Sequence, residues 1–507
     1  MKYIENKQSI ENAQLATARW GDPSYIAKQY PYSPGAIWLG RNPHNEDETI
    51  GYHDDRHIFL CAGTRTGKGR AFIINNLLKW PGSIVCVDPK GENATIAALR
   101  RGSGNKKYCD GMKQDTYVLD PMRCAKVPER LRAHYNLLDA LDPEDGELMK
   151  KTNKIADAIC TIPESGNAKE WARRGKNYIS VVIAHVVTYI PYEGRRDLVT
   201  VHKLITEGEV EGAEMLKKEG IELTPYDVLL EDMIDNKACR GRIARKARSL
   251  KIMDKKTPKF FQYVREEAED QTEFMNTDGI EDTVCNTGRY KRTFDISKLR
   301  NSKRGISIFL CLPLDDVEPY AKWQRAMITV ILGEMQKEQG LPANGHQMLM
   351  CVDEFQNLGK MEPLERAVNE GAGAGVKLMI GTQNIGGVKK LYGENWETFL
   401  SGSGLQIFFG ADGPTTQKHL EDSLGQTEIV KDIKTINVSK TETDTEGETK
   451  GTTHTKNTSE TKTNTKNRSK SKNRSKTENW NLGKSWSSAQ SISQADTWNR
   501  GNSSSKS

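Results

Sequence analysis

Two short segments, far apart in the chain, carry residue types that could together bind and cut a nucleoside triphosphate. In the first, the apolar run Ile58-Phe59-Leu60-Cys61-Ala62 leads into Gly63-Thr64-Arg65-Thr66-Gly67-Lys68-Gly69. It reads as a strand, a glycine-containing loop with one lysine, and then a helix over Arg70–Lys79. Such a loop turns successive backbone N–H groups towards a phosphate at a helix N-terminus. Lys68 is placed to neutralise β/γ-phosphate charge. Gly63, Thr64, Arg65, Thr66, Gly67, Gly69 and Arg70 complete the set expected to hold the nucleotide. In the second segment, Met348-Leu349-Met350-Cys351-Val352-Asp353-Glu354 reads as a buried strand that ends in two carboxylates. The aspartate can hold Mg²⁺ through water, and the glutamate can polarise an attacking water.

Taken singly, neither segment is decisive. The loop has Ala62 where the usual pattern has glycine, and Gly69 where a Ser or Thr hydroxyl normally contacts Mg²⁺. The missing hydroxyl shifts more of the metal binding to Asp353 and bound waters. An apolar strand ending in Asp-Glu also occurs by chance. Their order is more telling. Phosphate loop, acidic strand, then a strand Val376–Gln383 ending in a polar residue is the order expected of a RecA-like ATPase with an additional strand between the two motifs. Gln383 then sits near the γ-phosphate and reports its loss. Asp88-Pro89-Lys90-Gly91-Glu92 ends another apolar strand, Ser83–Asp88. Ligands bind at the carboxyl ends of strands in open parallel sheets, so these charges are expected to face the cleft or a neighbouring subunit.

The elements that must position these residues alternate between strand and helix, the pattern of an α/β fold with a mainly parallel sheet covered on both faces. Gln114–Leu119, Gly305–Leu312 and Leu405–Phe409 read as further strands, and Tyr320–Gln339 as a helix. Residues 1–50, broken by Pro23, Pro31, Pro34 and Pro43, read as an extended lead-in. The nucleotide domain is expected over 51–140 and 296–432. Residues 141–295 carry helical periodicity and many charges, and read as an inserted all-α domain. Its expected helices are Glu147–Ile162, Ala168–Tyr189, Thr200–Glu207, Pro225–Asp235 and Lys259–Asn276.

The chain has 507 residues, room for two or three domains. The apolar run Ile179–Ile190 is too short to span a bilayer and contains His185. Met1–Asn12 is too polar for a secretory signal. The nine cysteines show no CxxC pair, which fits reduced thiols in a cytosolic protein. Net charge is +6, but from Lys434 onward the chain carries 14 Lys/Arg against 7 Asp/Glu, a net of +7, leaving about −1 elsewhere. Residues 433–507 form a low-complexity Ser/Thr/Asn/Lys tail that should be disordered alone. Its cations can contact phosphates weakly, and Trp480, Trp486 and Trp498 could stack on bases or dock on a partner.

Several of these residues resemble the motifs of type IV secretion coupling proteins, the TraG/TraD-type ATPases of conjugative DNA transfer. Thr64-Arg65-Thr66-Gly67-Lys68-Gly69 is close to that family's TRSGKG loop, and Asp88–Glu92 to its DPKGE. Tyr135-Asn136-Leu137-Leu138-Asp139 is similar to its N-P-L-D element. Val352-Asp353-Glu354-Phe355 with Leu358-Gly359 resembles its LDEF…LG, and Gln383 with Leu391-Tyr392-Gly393 its Q…YG stretch. Ala18-Arg19-Trp20-Gly21 is also similar. The resemblance covers roughly residues 15–430. It implies an ATPase that recruits and pumps single- or double-stranded DNA, or relaxase-bound DNA, to a secretion channel. It also implies a homo-hexamer, a monomer in isolation being the other state to consider, at the cytoplasmic face of the bacterial membrane. The family's two N-terminal membrane helices have no counterpart here, which points to a separate anchor subunit, a soluble branch or a truncated chain. An arginine that many members place in the segment matching Gly371–Gly375 is missing, and its role moves to Arg366 or Arg325 or is lost. Two alternatives stand beside this reading: a nucleotide-gated recruitment adapter with little turnover, and a related ring-ATPase translocase outside conjugation.

Overall fold

The computed structural model describes residues 21–163, 165–313, 317–410 and 413–425, together with the backbones of 428–445 and 471–488. The motif at 18–20 and Trp498 lie outside the described residues. The chain divides into two compact units, Asp22–Gln417 and a second made of 1–21 with 418–507.

The larger unit is built on a seven-stranded sheet. After a hairpin of β1 (Ile37–Asn42) and β2 (Asn45–Tyr52) come β3 (His57–Ala62), β4 (Ile84–Asp88), β5 (Asp115–Leu119), β6 (Ile306–Cys311), β7 (Met348–Val352), β8 (Val376–Thr382) and β9 (Ser403–Phe409). The sheet runs β9-β3-β8-β7-β4-β6-β5, and every pairing is parallel. In β3, β4, β6, β7 and β8 every residue is buried, as strands covered on both faces require. One apolar cluster fills each face of the sheet. β8 lies between β3 and β7, so the loop strand and the acidic strand are separated by one strand, as expected.

Residues 22–52 are more regular than an extended lead-in. Asp22 caps a helix Pro23–Gln29, with Pro23 in the first turn where its missing N–H costs nothing. Pro43 falls in the turn of the β1–β2 hairpin, where Asn42 Oδ1 accepts from the His44 N–H at 3.0 Å. The prolines therefore mark boundaries of elements and do not prevent them.

Helices Leu148–Ile159, Asn167–Thr188, Leu198–Thr206, Val210–Lys218, Pro225–Asp235, Ala238–Lys256, Pro258–Thr272 and Asp278–Val284 occupy the inserted region. Val210–Lys218, Ala238–Lys256 and the short Asp278–Val284 have no counterpart among the sequence expectations; in the first two, charge-rich stretches with few buried positions give weak periodicity. The run around His185 is the buried centre of Asn167–Thr188, and among the described residues no helix is long and apolar enough to cross a membrane. Asn136 ties core to insert: its Nδ2 donates to Asp139 Oδ1 at 2.8 Å and to the Arg196 carbonyl at 2.7 Å.

Within the tail expected to be disordered alone, Glu428–Thr445 and Ser471–Ser488 pair as an antiparallel ribbon. Its threonine alternation favours extended backbone. Trp480 is in register with Ile436, and Trp486 with Val430.

Candidate nucleotide site

Strand β3 is wholly buried, and the chain leaves it at Gly63 in a tight turn. A Cβ on Gly63 would lie 2.4 Å from the Gly410 carbonyl oxygen, so only glycine lets the loop pass the end of β9. Thr66 closes the turn: its Oγ1 donates to the Gly63 carbonyl at 2.7 Å. Gly67 has φ +95°, a conformation glycine adopts freely. Gly67 and Gly69 both face open space where a Cβ would stand, which leaves a concave cradle. Among the described residues the Thr64, Arg65 and Gly67 N–H groups donate to no acceptor. Unspent loop donors before a helix form an anion site. The expected helix begins with a wide π-turn, Gly69–Ile73, and continues as Ile74–Lys79.

Because the sheet is parallel, the residues after β3, β7 and β8 share one edge. There they form one connected network. Lys68 Nζ is 2.8 Å from Asp353 Oδ1 and 3.0 Å from Glu354 Oε1. Gln383 Nε2 donates to Glu354 Oε2 at 3.0 Å, and Thr64 Oγ1 donates to Gln383 Oε1 at 3.4 Å. Lys68 is buried. Burial alone would lower its pKa, but the charges of Asp353 and then Glu354 outweigh it, and the net shift is upward. Lys68 is therefore a fixed cation clasping two carboxylates.

Glu354 has φ +55° and Arg65 φ +61°, both unusual for residues with a Cβ. Such strain gathers at functional sites and is held by its surroundings. Behind Glu354, Phe355 is fully buried, stacked on Tyr392 at a centroid distance of 5.4 Å and packed on Phe399 at 5.0 Å. Gln356 Nε2 donates to Thr382 Oγ1 at 2.7 Å and to the Asn384 carbonyl at 3.0 Å, which joins the loop after β7 to the loop after β8. Gly381, Gln356 and Gly410 escape the motif reading. A Cβ on Gly381 would lie 3.3 Å from Asp353 Oδ1, and a glycine inside an apolar strand is the signal for such close approach.

Lys68, Asp353, Glu354, Gln383 and Thr64 thus come together. Arg65 and Arg70 are exposed and form no ion pair among the described residues. The Asp88 expectation needs correction. Asp88 is buried, not facing the cleft: its Oδ2 accepts from the Ala94 N–H at 2.8 Å, inside the first turn of helix Glu92–Arg101. Burial pushes its pKa up to about 6. Only Lys90 and Glu92 of that element are exposed. The glycine-rich segment 371–375 precedes β8, at the opposite edge of the sheet from Lys68, and its Ala374 carbonyl is bound by Arg300 at 2.9 Å. Arg325 is held within the chain, donating to the Cys160 carbonyl at 3.2 Å. Arg366 is exposed on helix Glu362–Glu370.

The donors present fit ATP and Mg²⁺. The cradle is open, its N–H groups are unspent, and a lysine stands at its base. Asp353 and Glu354 suit an ion that keeps several waters and takes its remaining oxygens from nucleotide phosphates. Among the described residues no cluster of three or more His, Cys, Asp or Glu side chains stands ready to cage a metal.

The comparisons with known proteins agree with this architecture. The family model for Type IV secretory system Conjugative DNA transfer matches residues 5–478. Protein VirD4 of Rhizobium radiobacter is 23% identical over 407 residues, covering 77% of this chain and 50% of the relative. Conjugal transfer protein TraG of Escherichia coli is 23% identical over 453 residues, covering 86% of this chain and 66% of the relative. The chain thus spans about half the length of the VirD4 relatives it matches. Among solved structures, plasmid coupling protein TrwB in complex with ADP and Mg²⁺ superposes with a TM-score of 0.54 at 15% identity, covering 81% of this chain and 84% of that one. An unbound form of TrwB gives 0.53 at 16% identity, covering 82% of each chain. The fold is therefore that of TrwB, and the chain belongs to the Type IV secretory system conjugative DNA transfer family.

Proposed function

We propose that this protein is an ATP-hydrolysing coupling protein that recruits DNA, or relaxase-bound DNA, and drives it to a type IV secretion channel. The observation that carries the catalytic part is the Thr64–Gln383–Glu354–Lys68–Asp353 network at the carboxyl edge of a parallel sheet. In this reading the loop N–H groups and Lys68 hold the β- and γ-phosphates. Asp353 would hold Mg²⁺, and the ion would supply neutralisation of phosphate charge. Glu354 accepts a proton from the attacking water, and Gln383 orients the Glu354 carboxylate through its Oε2. When Lys68 turns to the phosphates it releases both carboxylates, so nucleotide binding itself frees the base. The nucleotide and Mg²⁺ in the TrwB complex, and conjugation in the TraG name, support the reading by analogy. Hexamer assembly, a membrane anchor on another subunit and a place at the cytoplasmic face of the membrane belong to the same proposal.

Gly69 favours one alternative. With no hydroxyl at that position, Mg²⁺ is held less firmly, as in an adapter that binds nucleotide and turns it over little. ATP turnover without DNA, with single-stranded DNA and with double-stranded DNA separates the two, with Glu354→Gln as background. DNA stimulation well above background supports the motor. Flat turnover with nucleotide still bound supports the adapter.

A further inference from the structure

A second polar cleft lies outside the nucleotide site, where the insert meets the core. It has a volume of about 580 Å³ and is lined by Lys150 and Lys154 of helix Leu148–Ile159, Arg242 of Ala238–Lys256 and Arg366 of Glu362–Glu370. Its two carboxylates are already engaged: Glu147 with Lys150 at 3.3 Å, and Asp157 with Lys176 at 2.7 Å. Lys154, Arg242 and Arg366 have no ion-pair partner among the described residues. Burial lowers the pKa of Lys154, and the facing charges of Arg366 and Lys150 lower it further. The charge of Glu147 acts on Lys154 in the opposite sense, yet Lys150, Lys154, Arg242 and Arg366 outnumber Glu147 and Asp157 in the lining, so the cavity favours an entering anion.

Further cations lie beside the cleft. Past the kink at Cys239–Gly241, the exposed Arg245 and Lys246 follow Arg242 at spacings of three and four on one helix face, and the one acidic residue of Ala238–Lys256 is Asp254. A small anion would use the cleft but not these cations, whereas a chain of phosphates uses both. The helix bearing Arg366 is joined to Glu354 by residues 355–361. Within that link Phe355 is clamped by aromatic rings, and the Met361 N–H donates to the Tyr392 hydroxyl at 3.1 Å. A pull on Arg366 therefore acts on a packed element that begins at Glu354.

We propose that this cleft and the cations beside it bind the phosphodiester backbone of a nucleic-acid strand, and that occupancy at Arg366 positions Glu354 for turnover. The coupling half rests on the ATPase reading; the binding half does not. The test uses the full chain, a fluorescent single-stranded oligonucleotide read by anisotropy across a salt series, and inorganic tripolyphosphate as competitor. Lys154→Ala with Arg242→Ala should weaken binding about tenfold at low salt and flatten the salt dependence by roughly one phosphate contact per cation removed. Arg366→Ala should lower DNA-stimulated turnover and leave Mg²⁺-ATP affinity unchanged, and Arg366→Lys should restore part of it. Matching unfolding midpoints confirm that the variants fold. Wild-type affinity and salt slope in the double variant would overturn the site, even if DNA still stimulates hydrolysis. Equal displacement by tripolyphosphate at matched phosphate concentration would overturn the strand in favour of a small anion. Absent hydrolysis with the predicted loss of binding would remove the motor reading and keep the site.

Discussion

Nucleotide binding should depend on Mg²⁺ more steeply than phosphate charge alone requires, because of the Lys68 clasp. In the empty site one ammonium serves two carboxylates, and the Lys68, Asp353 and Glu354 side chains are only 9%, 16% and 17% exposed. When Lys68 turns to phosphate, those carboxylates lose their counter-charge beside a further anion. One unit repulsion at about 4 Å costs roughly 4 kcal/mol at an effective dielectric near 20. That is about three orders of magnitude in Kd. A fluorescent ATP analogue titrated in Mg²⁺ and in EDTA measures the gap. Asp353→Asn removes one of the two charges, and with it that repulsion, and should narrow the gap by up to about three orders of magnitude. Lys68→Ala should abolish binding in both conditions, and with it the rise in Tm that Mg²⁺-ATP gives the wild type. Comparable wild-type affinity in Mg²⁺ and EDTA would refute the clasp.

Four further outcomes follow. Glu354→Gln should still bind Mg²⁺-ATP, seen as a retained Tm rise, while turnover falls by about 10²–10⁴-fold, the usual worth of a general base. Gly63→Ala should disrupt nucleotide binding more than Gly69→Ala, because a Cβ at 63 meets the Gly410 carbonyl at 2.4 Å and one at 69 meets nothing; titration of both variants decides it. Arg101 is fully buried and donates to the Leu77, Trp80 and Gly82 carbonyls, each at 2.7 Å. Arg101→Met should cost at least about 3 kcal/mol in urea unfolding, and Lys should not rescue it, because one ammonium cannot span that fork. His57 is buried and its Nδ1 accepts from the Leu378 N–H at 3.1 Å; burial, then Lys377, lowers its pKa to about 4. Unfolded chain binds the extra proton between pH 6.5 and 4, so this stability is present above pH 6.5 and lost as pH falls. The loss should reach up to about 3 kcal/mol; unfolding midpoints across that range should flatten in His57→Gln, and an unchanged slope would count against it.

Chemistry and element order were legible from sequence because they depend on local pattern. A buried apolar run, a glycine turn and a lysine specify a strand, a loop and a helix start. The apolar run from Met348 to Val352 likewise announces its own end in Asp353-Glu354. The order of Lys68, Asp353 and Gln383 along the chain was enough to place a strand between the loop strand and the acidic strand. Local pattern misled at Asp88, whose carboxylate lies at a strand end yet turns inward to meet the Ala94 N–H. It also missed the hairpin at 37–52, where prolines marked ends of elements, and helix Ala238–Lys256, whose exposed cations leave little apolar period to read.

What the tertiary structure alone decided is which distant groups meet. Nothing near Lys68 in sequence shows that it holds both carboxylates, or that Gln383 and Thr64 complete the chain of contacts. Nothing near Arg366 shows that Lys154 and Arg242 face it across a cleft. The physical reason is the same in each case. Side-chain type and backbone preference are written residue by residue, whereas a charge's partners are fixed by sheet order and packing between elements hundreds of residues apart.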